Sequence, residues 1–258
     1  MPNSKVTVTL IGGPTVLIDY CGLRFLTDPT FDHAGEEYPS SGVTLRKLTE
    51  PAFRPAALGR VDAVLLSHDQ HKDNLDVSGR AFLAEVPLLL TTPIGAQRLG
   101  NETKGLAEWE SLELQTPTGQ RVRVTATPCR HGPAGIEPIA GDVIGFLLEA
   151  LDGSAETLYV TGDTVFYEGV AEVARRFSPR HIIAFAGAAR PRGPFDLTMS
   201  ANDVLDTAHA FPQATIIPVH SEGWEHFTLP AQALAEVFAR LGLSDRLRLI
   251  AHGETISL

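Results

Sequence analysis

The sequence predicts an α/β fold: one domain over residues 1–258, built from two sheets that are each covered by helices on their outer faces. Three observations predict it. Short apolar runs bounded by turn signals occur in both halves of the chain. Segments with helical caps and stops lie between some of these runs. No linker-like stretch, low-complexity tract or short-period repeat divides the chain, and 258 residues are enough for one large core.

The elements are taken in order. Val6–Ile11 alternates with a period near two and reads as a strand. Gly12-Gly13-Pro14 turns the chain into Val16–Tyr20, and Cys21-Gly22 turns it back into Leu23–Thr27, which Asp28-Pro29 stops. The stretch from Phe31 to Arg60 is rich in Gly, Pro, Ser and charge, and is expected as a long surface loop with a short helix. Val61–Leu66 is a buried strand. A helix starts near Asp76 and runs through Gly79, Phe82 and Leu83. Pro87–Thr92 is another buried strand, and Pro93–Gly100 a short helix with proline at its first position and glycine past its end. Ala107–Leu114 and Val122–Ala126 read as strands. So do Asp142–Glu149 and Glu156–Thr161, joined by the hairpin signal Asp152-Gly153. Tyr167–Phe177 is helical, His181–Phe185 a strand, and Ser200–Ala210 a helix with Ser200 as cap and Asp203 three residues on. Ala214–Val219 is a strand, Pro230–Leu241 a helix stopped by Gly242, and Leu247–Ala251 the expected last strand.

Composition narrows the function. With 43% hydrophobic and 20% charged residues the chain reads as an ordinary globular protein. Its net charge is −10, and no cluster of Lys and Arg suggests a nucleic-acid groove. An anionic substrate remains compatible, because a bound metal reverses the local field. Cys21 and Cys129 alone make no disulfide framework and read as thiols. Met1-Pro2-Asn3-Ser4-Lys5 leads straight into a strand, with no signal-peptide pattern, and no apolar run approaches bilayer length. The expectation is a cytoplasmic protein that acts on a small molecule, with no nucleic-acid or membrane partner; a homo-oligomer is left open.

The chemistry concentrates in Ser67-His68-Asp69-Gln70-His71-Lys72-Asp73-Asn74-Leu75-Asp76, immediately after a buried strand. Two imidazoles and several carboxylates crowd one turn there. His131, Asp163 and His220 each follow a later apolar run. A transition metal needs such donors within about 2 Å of one point, and strand-end turns aim side chains that way. The pattern suggests a metal-dependent hydrolase. Asp76 falls where a helix starts and reads as its cap. His226 reads as a substrate-binding or supporting group, or as a surface residue. Arg130, beside His131, is a candidate for steering an anionic substrate, as are Arg190 and Arg192. His33, His181, His209 and His252 lack comparable context.

These residues resemble the metallo-beta-lactamase fold superfamily, in the branch of intracellular metal-dependent hydrolases similar to L-ascorbate-6-phosphate lactonases. The hallmark His-x-His-x-Asp-His maps to His68 through Asn74, and the later single ligands to His131, Asp163 and His220. Leu10-Ile11-Gly12-Gly13, Val16-Leu17-Ile18 and Leu26-Thr27-Asp28-Pro29 also resemble that branch, so the likeness covers almost the whole chain. It implies a four-layer αββα sandwich of two mixed sheets. The central motif is altered: His68 to Asp73 holds one residue more than the hallmark, and Asn74 stands at the position of its last histidine. Read as a local bulge, the insertion presents His71 in place of residue 70. The resemblance then implies one site of His68, His71 and His131, and another of Asp73, Asp163 and His220 with Asp163 bridging. The second is short of a nitrogen donor. It also implies one or two Zn ions, with Mn or Fe open, and Asp73 as the catalytic group that orients the water or takes its proton. Esters, lactones and phosphodiester-like compounds are the implied substrates. Two alternatives stand beside this reading: an iron-dependent redox or oxygen enzyme, and a non-catalytic metal-binding or scaffold protein, which Gln70 and Asn74 motivate.

Overall fold

A computed structural model describes residues 6–40, 42–100 and 103–258. Residues Met1–Lys5, on which the reading of the N-terminus rested, lie outside the described residues. The chain forms β1 (Thr7–Gly12), β2 (Thr15–Tyr20), β3 (Leu23–Thr27), β4 (Glu37–Ser40), β5 (Val43–Arg46), α1 (Pro55–Leu58), β6 (Ala63–Leu65), α2 (Val77–Phe82), β7 (Leu89–Thr91) and α3 (Pro93–Leu99). It continues through β8 (Lys104–Gly105), β9 (Ser111–Gln115), β10 (Arg121–Pro128), α4 (Glu137–Ala140), β11 (Ile144–Ala150), β12 (Leu158–Val160) and α5 (Glu168–Arg176). It ends with β13 (His181–Phe185), α6 (Ala201–Ala210), β14 (Thr215–Val219), α7 (Ala231–Arg240) and β15 (Thr255–Ser257).

One sheet has the order β15-β1-β2-β3-β6-β7-β8 and the other β14-β13-β12-β11-β10-β9, and both mix parallel with antiparallel pairs. Alternation along each strand sorts its side chains between two faces. Ile183 and Phe185 point inward to the shared core with Val8, Phe25 and Phe146. Ile182 and Ala184 point outward, where Val170, Val204 and Phe238 from α5, α6 and α7 cover them. On the other outer face, Leu58 and Phe82 cover Leu26, Val64 and Leu66. The result is the four-layer αββα sandwich. No described helix is long and apolar enough to cross a membrane.

Local chemistry places the helix starts where the sequence does. Asp76 accepts from Gly79 N at 2.7 Å, so it caps α2 as expected. Thr92 caps α3 ahead of Pro93, and Ser200 with Asp203 forms the capping box of α6.

Three segments differ from expectation. Phe31–Arg60 contains a hairpin, β4 with β5, besides its short helix. Only Tyr38, Val43 and Leu45 mark its inner side, and Pro39 and Ser40 mask the alternation. Ala107–Leu114 becomes strand only from Ser111. Before it, Glu110 N bonds back to Ala107 O, and Trp109 takes a left-handed φ of 68°, so the chain turns first. Leu247–Ala251 forms no strand beyond a single bridge from Leu247 to Ile216. The last strand is β15, because β1 has an open edge there and Gly253, at φ 78°, swings the chain onto it.

The strand directions fix where function can sit. β6 is parallel to β3 and β7, and β12, β13 and β14 are mutually parallel. β10 is antiparallel to β11, itself antiparallel to β12, so β10 runs the same way as β12. The residues after β6, β10, β12 and β14 are His68, His131, Asp163 and His220 with their neighbours, and all leave from one edge of the sandwich.

Candidate metal centre

Ser67 and His68 follow β6 into a tight turn in which the Asn74 and Leu75 amides both donate to His71 O. The turn absorbs the extra residue. Gln70 turns its amide away from the trio: its Nε2 donates to Ala140 O at 3.2 Å and Asp142 O at 3.3 Å. Asp69 pairs with Arg98. His71 is left facing inward, with Nδ1 at 2.9 Å from His68 Nε2 and 3.1 Å from His131 Nε2. The donor atoms of His68, His71 and His131 all lie within 4.8 Å of one another.

The surroundings assign the ring protons. Ser67 Oγ donates to Asp28 at 2.6 Å, so it accepts from His68 Nδ1–H at 2.9 Å. His131 Nδ1–H donates to Leu197 O at 2.8 Å. With Nδ1 the donor on both rings, the two Nε2 atoms face His71 Nδ1, which carries at most one proton and donates to at most one of them. A cation at the common point satisfies all three, and locked second nitrogens are what orient imidazole ligands. Burial pushes the His68 ring well below the usual imidazole range; burial and the nearby His131 push His71 down to about 4. Neutral rings keep their lone pairs for a metal at neutral pH.

Asp163, at the end of β12, reaches from this trio to a second group. Its Oδ2 lies 3.5 Å from His131 Nε2 and 3.9 Å from His68 Nε2, and its Oδ1 lies 3.4 Å from His220 Nε2. His220 is fully buried, holds a left-handed φ of 54°, and neither ring nitrogen has a hydrogen-bond partner. Such an orphaned buried ring calls for a partner. Asp73 Oδ2 stands 3.7 Å from His220 Nε2 and 2.9 Å from His226 Nε2. Burial alone would raise the Asp73 and Asp163 carboxyls. The imidazoles beside them, His226 for Asp73 and His220 for Asp163, outweigh that and hold both below the usual carboxylate range. Conversely, burial alone would lower His220, and Asp163 outweighs it to raise that ring.

All six expected ligand residues thus meet in one place, and His226 joins them. Arg130 does not. Its Nε donates to Gly132 O at 3.0 Å and its guanidinium lies 4.7 Å from the Tyr167 ring centre, while Arg190 pairs with Asp196. Arg192 instead lines the cavity of about 350 Å³ above His71, Asp73, His131 and His226. Tyr38, Pro39, Val43 and Leu45 of the hairpin form one apolar wall of that cavity, facing Pro191 and Leu197. Sequence reasoning missed the hairpin wall and the Asp28–Ser67 support; a strand-terminal aspartate was the one signal for the latter.

The hairpin is rooted by Lys47, whose buried Nζ lies 3.0 Å from Asp76 Oδ2. Replacing Lys47 with Met is expected to lower stability by about 3–5 kcal/mol, since it leaves the buried Asp76 carboxylate without its counter-charge. Urea unfolding checks this: the midpoint should fall with an unchanged slope.

Comparison with known proteins agrees with this fold. A model of the family described as "Beta-lactamase superfamily domain" matches residues 23–221. UPF0173 protein YddR of Bacillus subtilis (strain 168) is 26% identical, covering 97% of this chain and 99% of that protein. The probable L-ascorbate-6-phosphate lactonase UlaG of Escherichia fergusonii is 24% identical, covering 86% of this chain and 68% of that protein. The crystal structure of an isothiocyanate hydrolase from Delia radicum gut bacteria matches with a TM-score of 0.82 at 26% identity, covering 98% of this chain and 99% of that one.

Proposed function

The chain belongs to the beta-lactamase superfamily domain family, and from that premise we propose that it is a single-domain zinc-dependent hydrolase of small ester, lactone or phosphodiester-like substrates. The observation that carries this reading is the convergence of His68, His71 and His131 beneath a cavity that also holds Asp73. A degenerate scaffold would have no reason to aim three imidazoles at one point.

A divalent ion held there supplies Lewis acidity, acidifying a water and polarising the electrophile. The protein supplies the rest. Asp73 lines the cavity beside the trio, where its carboxylate orients the attacking water or takes its proton. The His226 ring, with Nε2 2.9 Å from Asp73 Oδ2, stands against the carboxylate and holds its direction. The apolar walls exclude bulk water and leave room for a substrate with an apolar body. Arg192, near His71, gives the cavity a positive side for a carboxylate, phosphoryl or thio anion.

Dialysis against a chelator is expected to abolish turnover, and re-addition of Zn²⁺ to restore it, with Mn²⁺ and Fe²⁺ as comparisons. The assay panel is an aryl ester, a lactone, an aryl phosphodiester and an isothiocyanate, the last because of the structure matched above. Turnover of none of the four by metal-loaded protein would overturn the reading.

A further inference from the structure

The family hallmark places a histidine where this chain has Asn74, which removes a nitrogen donor from the second group of ligands. An amide offers only its oxygen to a cation. Asn74 is fully buried, and neither polar atom of its side chain has a hydrogen-bond partner. The donor lost there has a counterpart on another element. His226 lies in the segment after β14, and its Nε2 reaches Asp73 Oδ2 at 2.9 Å. Its side chain is 8% exposed and its Nδ1 has no partner. Taking the reading above as its basis, we propose that His226 is a metal ligand, completing with Asp73, Asp163 and His220 a second cation site in place of the imidazole missing at position 74.

The distances link these four residues in a chain. Asp73 Oδ2 to His226 Nε2 is 2.9 Å, Asp73 Oδ2 to His220 Nε2 is 3.7 Å, and His220 Nε2 to Asp163 Oδ1 is 3.4 Å. Donors about 2.0–2.2 Å from a shared ion lie roughly 3–3.5 Å apart along the edges of its coordination polyhedron, close to these separations. Two carboxylates and two imidazoles balance a divalent charge. The set is looser than the histidine trio, whose donor atoms all lie within 4.8 Å of one another. Drawing it together costs reorganisation, so the second ion binds after the first and more weakly. Its two oxygen donors also make it harder than the all-nitrogen trio, which favours Mn²⁺ or Fe²⁺ there more than at the first site.

Metal-free protein titrated with Zn²⁺, and separately with Mn²⁺, by calorimetry with elemental analysis tests this without an activity assay. Wild type is expected to bind two ions in two affinity classes. His226→Ala and His226→Gln should keep the tight class and weaken the second by more than about tenfold. His71→Ala should lose the tight class. Anomalous scattering from Zn²⁺-soaked wild-type crystals, which needs no variant to fold, should place the second ion against His226 Nε2. A second class unchanged in both His226 variants, or an ion held by Asn74 Oδ1 while His226 only hydrogen-bonds Asp73, overturns the proposal and leaves the hydrolase reading standing. Wild type that binds no ion at all overturns both.

Discussion

Replacing His71 with Ala is expected to cut metal affinity and turnover by at least about a hundredfold, because loss of a mere supporting partner of a ligand already costs 10–100-fold. Gln70→Ala, one position earlier, should leave metal affinity within about twofold of wild type, because its amide reaches Ala140 and Asp142 and not the ligand nitrogens. The contrast follows from the turn after β6. Gln70 spends its amide on Ala140 and Asp142, whereas His71 Nδ1 stands between His68 and His131. Parallel measurement of bound metal and of hydrolysis in the two variants decides it. A larger loss in the Gln70 variant would mean that the inserted residue is accommodated elsewhere in the turn.

Asp73→Ala is expected to lower turnover by about 10²–10⁴-fold, the span associated with a positioned group that handles a proton or the water bearing it. The histidine trio should still load with metal, since Asp73 is not among its three donors. A folded, metal-bearing and inactive variant is therefore the expected result, checked by circular dichroism, elemental analysis and the substrate panel. Asp73→Asn is the companion variant: it keeps the shape and removes the charge that His226 and His220 stabilise. If either variant retains full activity, Asp73 does not orient the water.

The legible part of this molecule was whatever local pattern controls. β3 and β13 occupy the residues that their apolar runs and flanking turns indicated, and Asp76 and Ser200 cap the helices they precede. His68, His131, Asp163 and His220 were legible as candidates because each ends an apolar run, and strand ends on one sheet edge converge. What local pattern does not carry is pairing at a distance. Asp28 supports Ser67 across 39 residues, and Leu197 O locks His131 across 66. Neither contact has a composition signature, and a backbone carbonyl has none by nature. The hairpin was hidden because its strands are half-exposed, so few apolar residues mark their period. Arg130 looked like a substrate group only because of its neighbour in the chain; one residue's step sends its side chain onto Tyr167.

The donors at the sandwich edge come from both sheets: His68 and His71 follow β6 of one, and His131, Asp163 and His220 follow strands of the other. An ion seated among them works as a clasp across the seam. Unfolding must then release it, and at a free concentration a thousandfold above Kd that adds about 4 kcal/mol to the stability of the folded chain. Metal scarcity would thus shorten the working life of the protein as well as silence it, coupling its abundance to the supply of the ion.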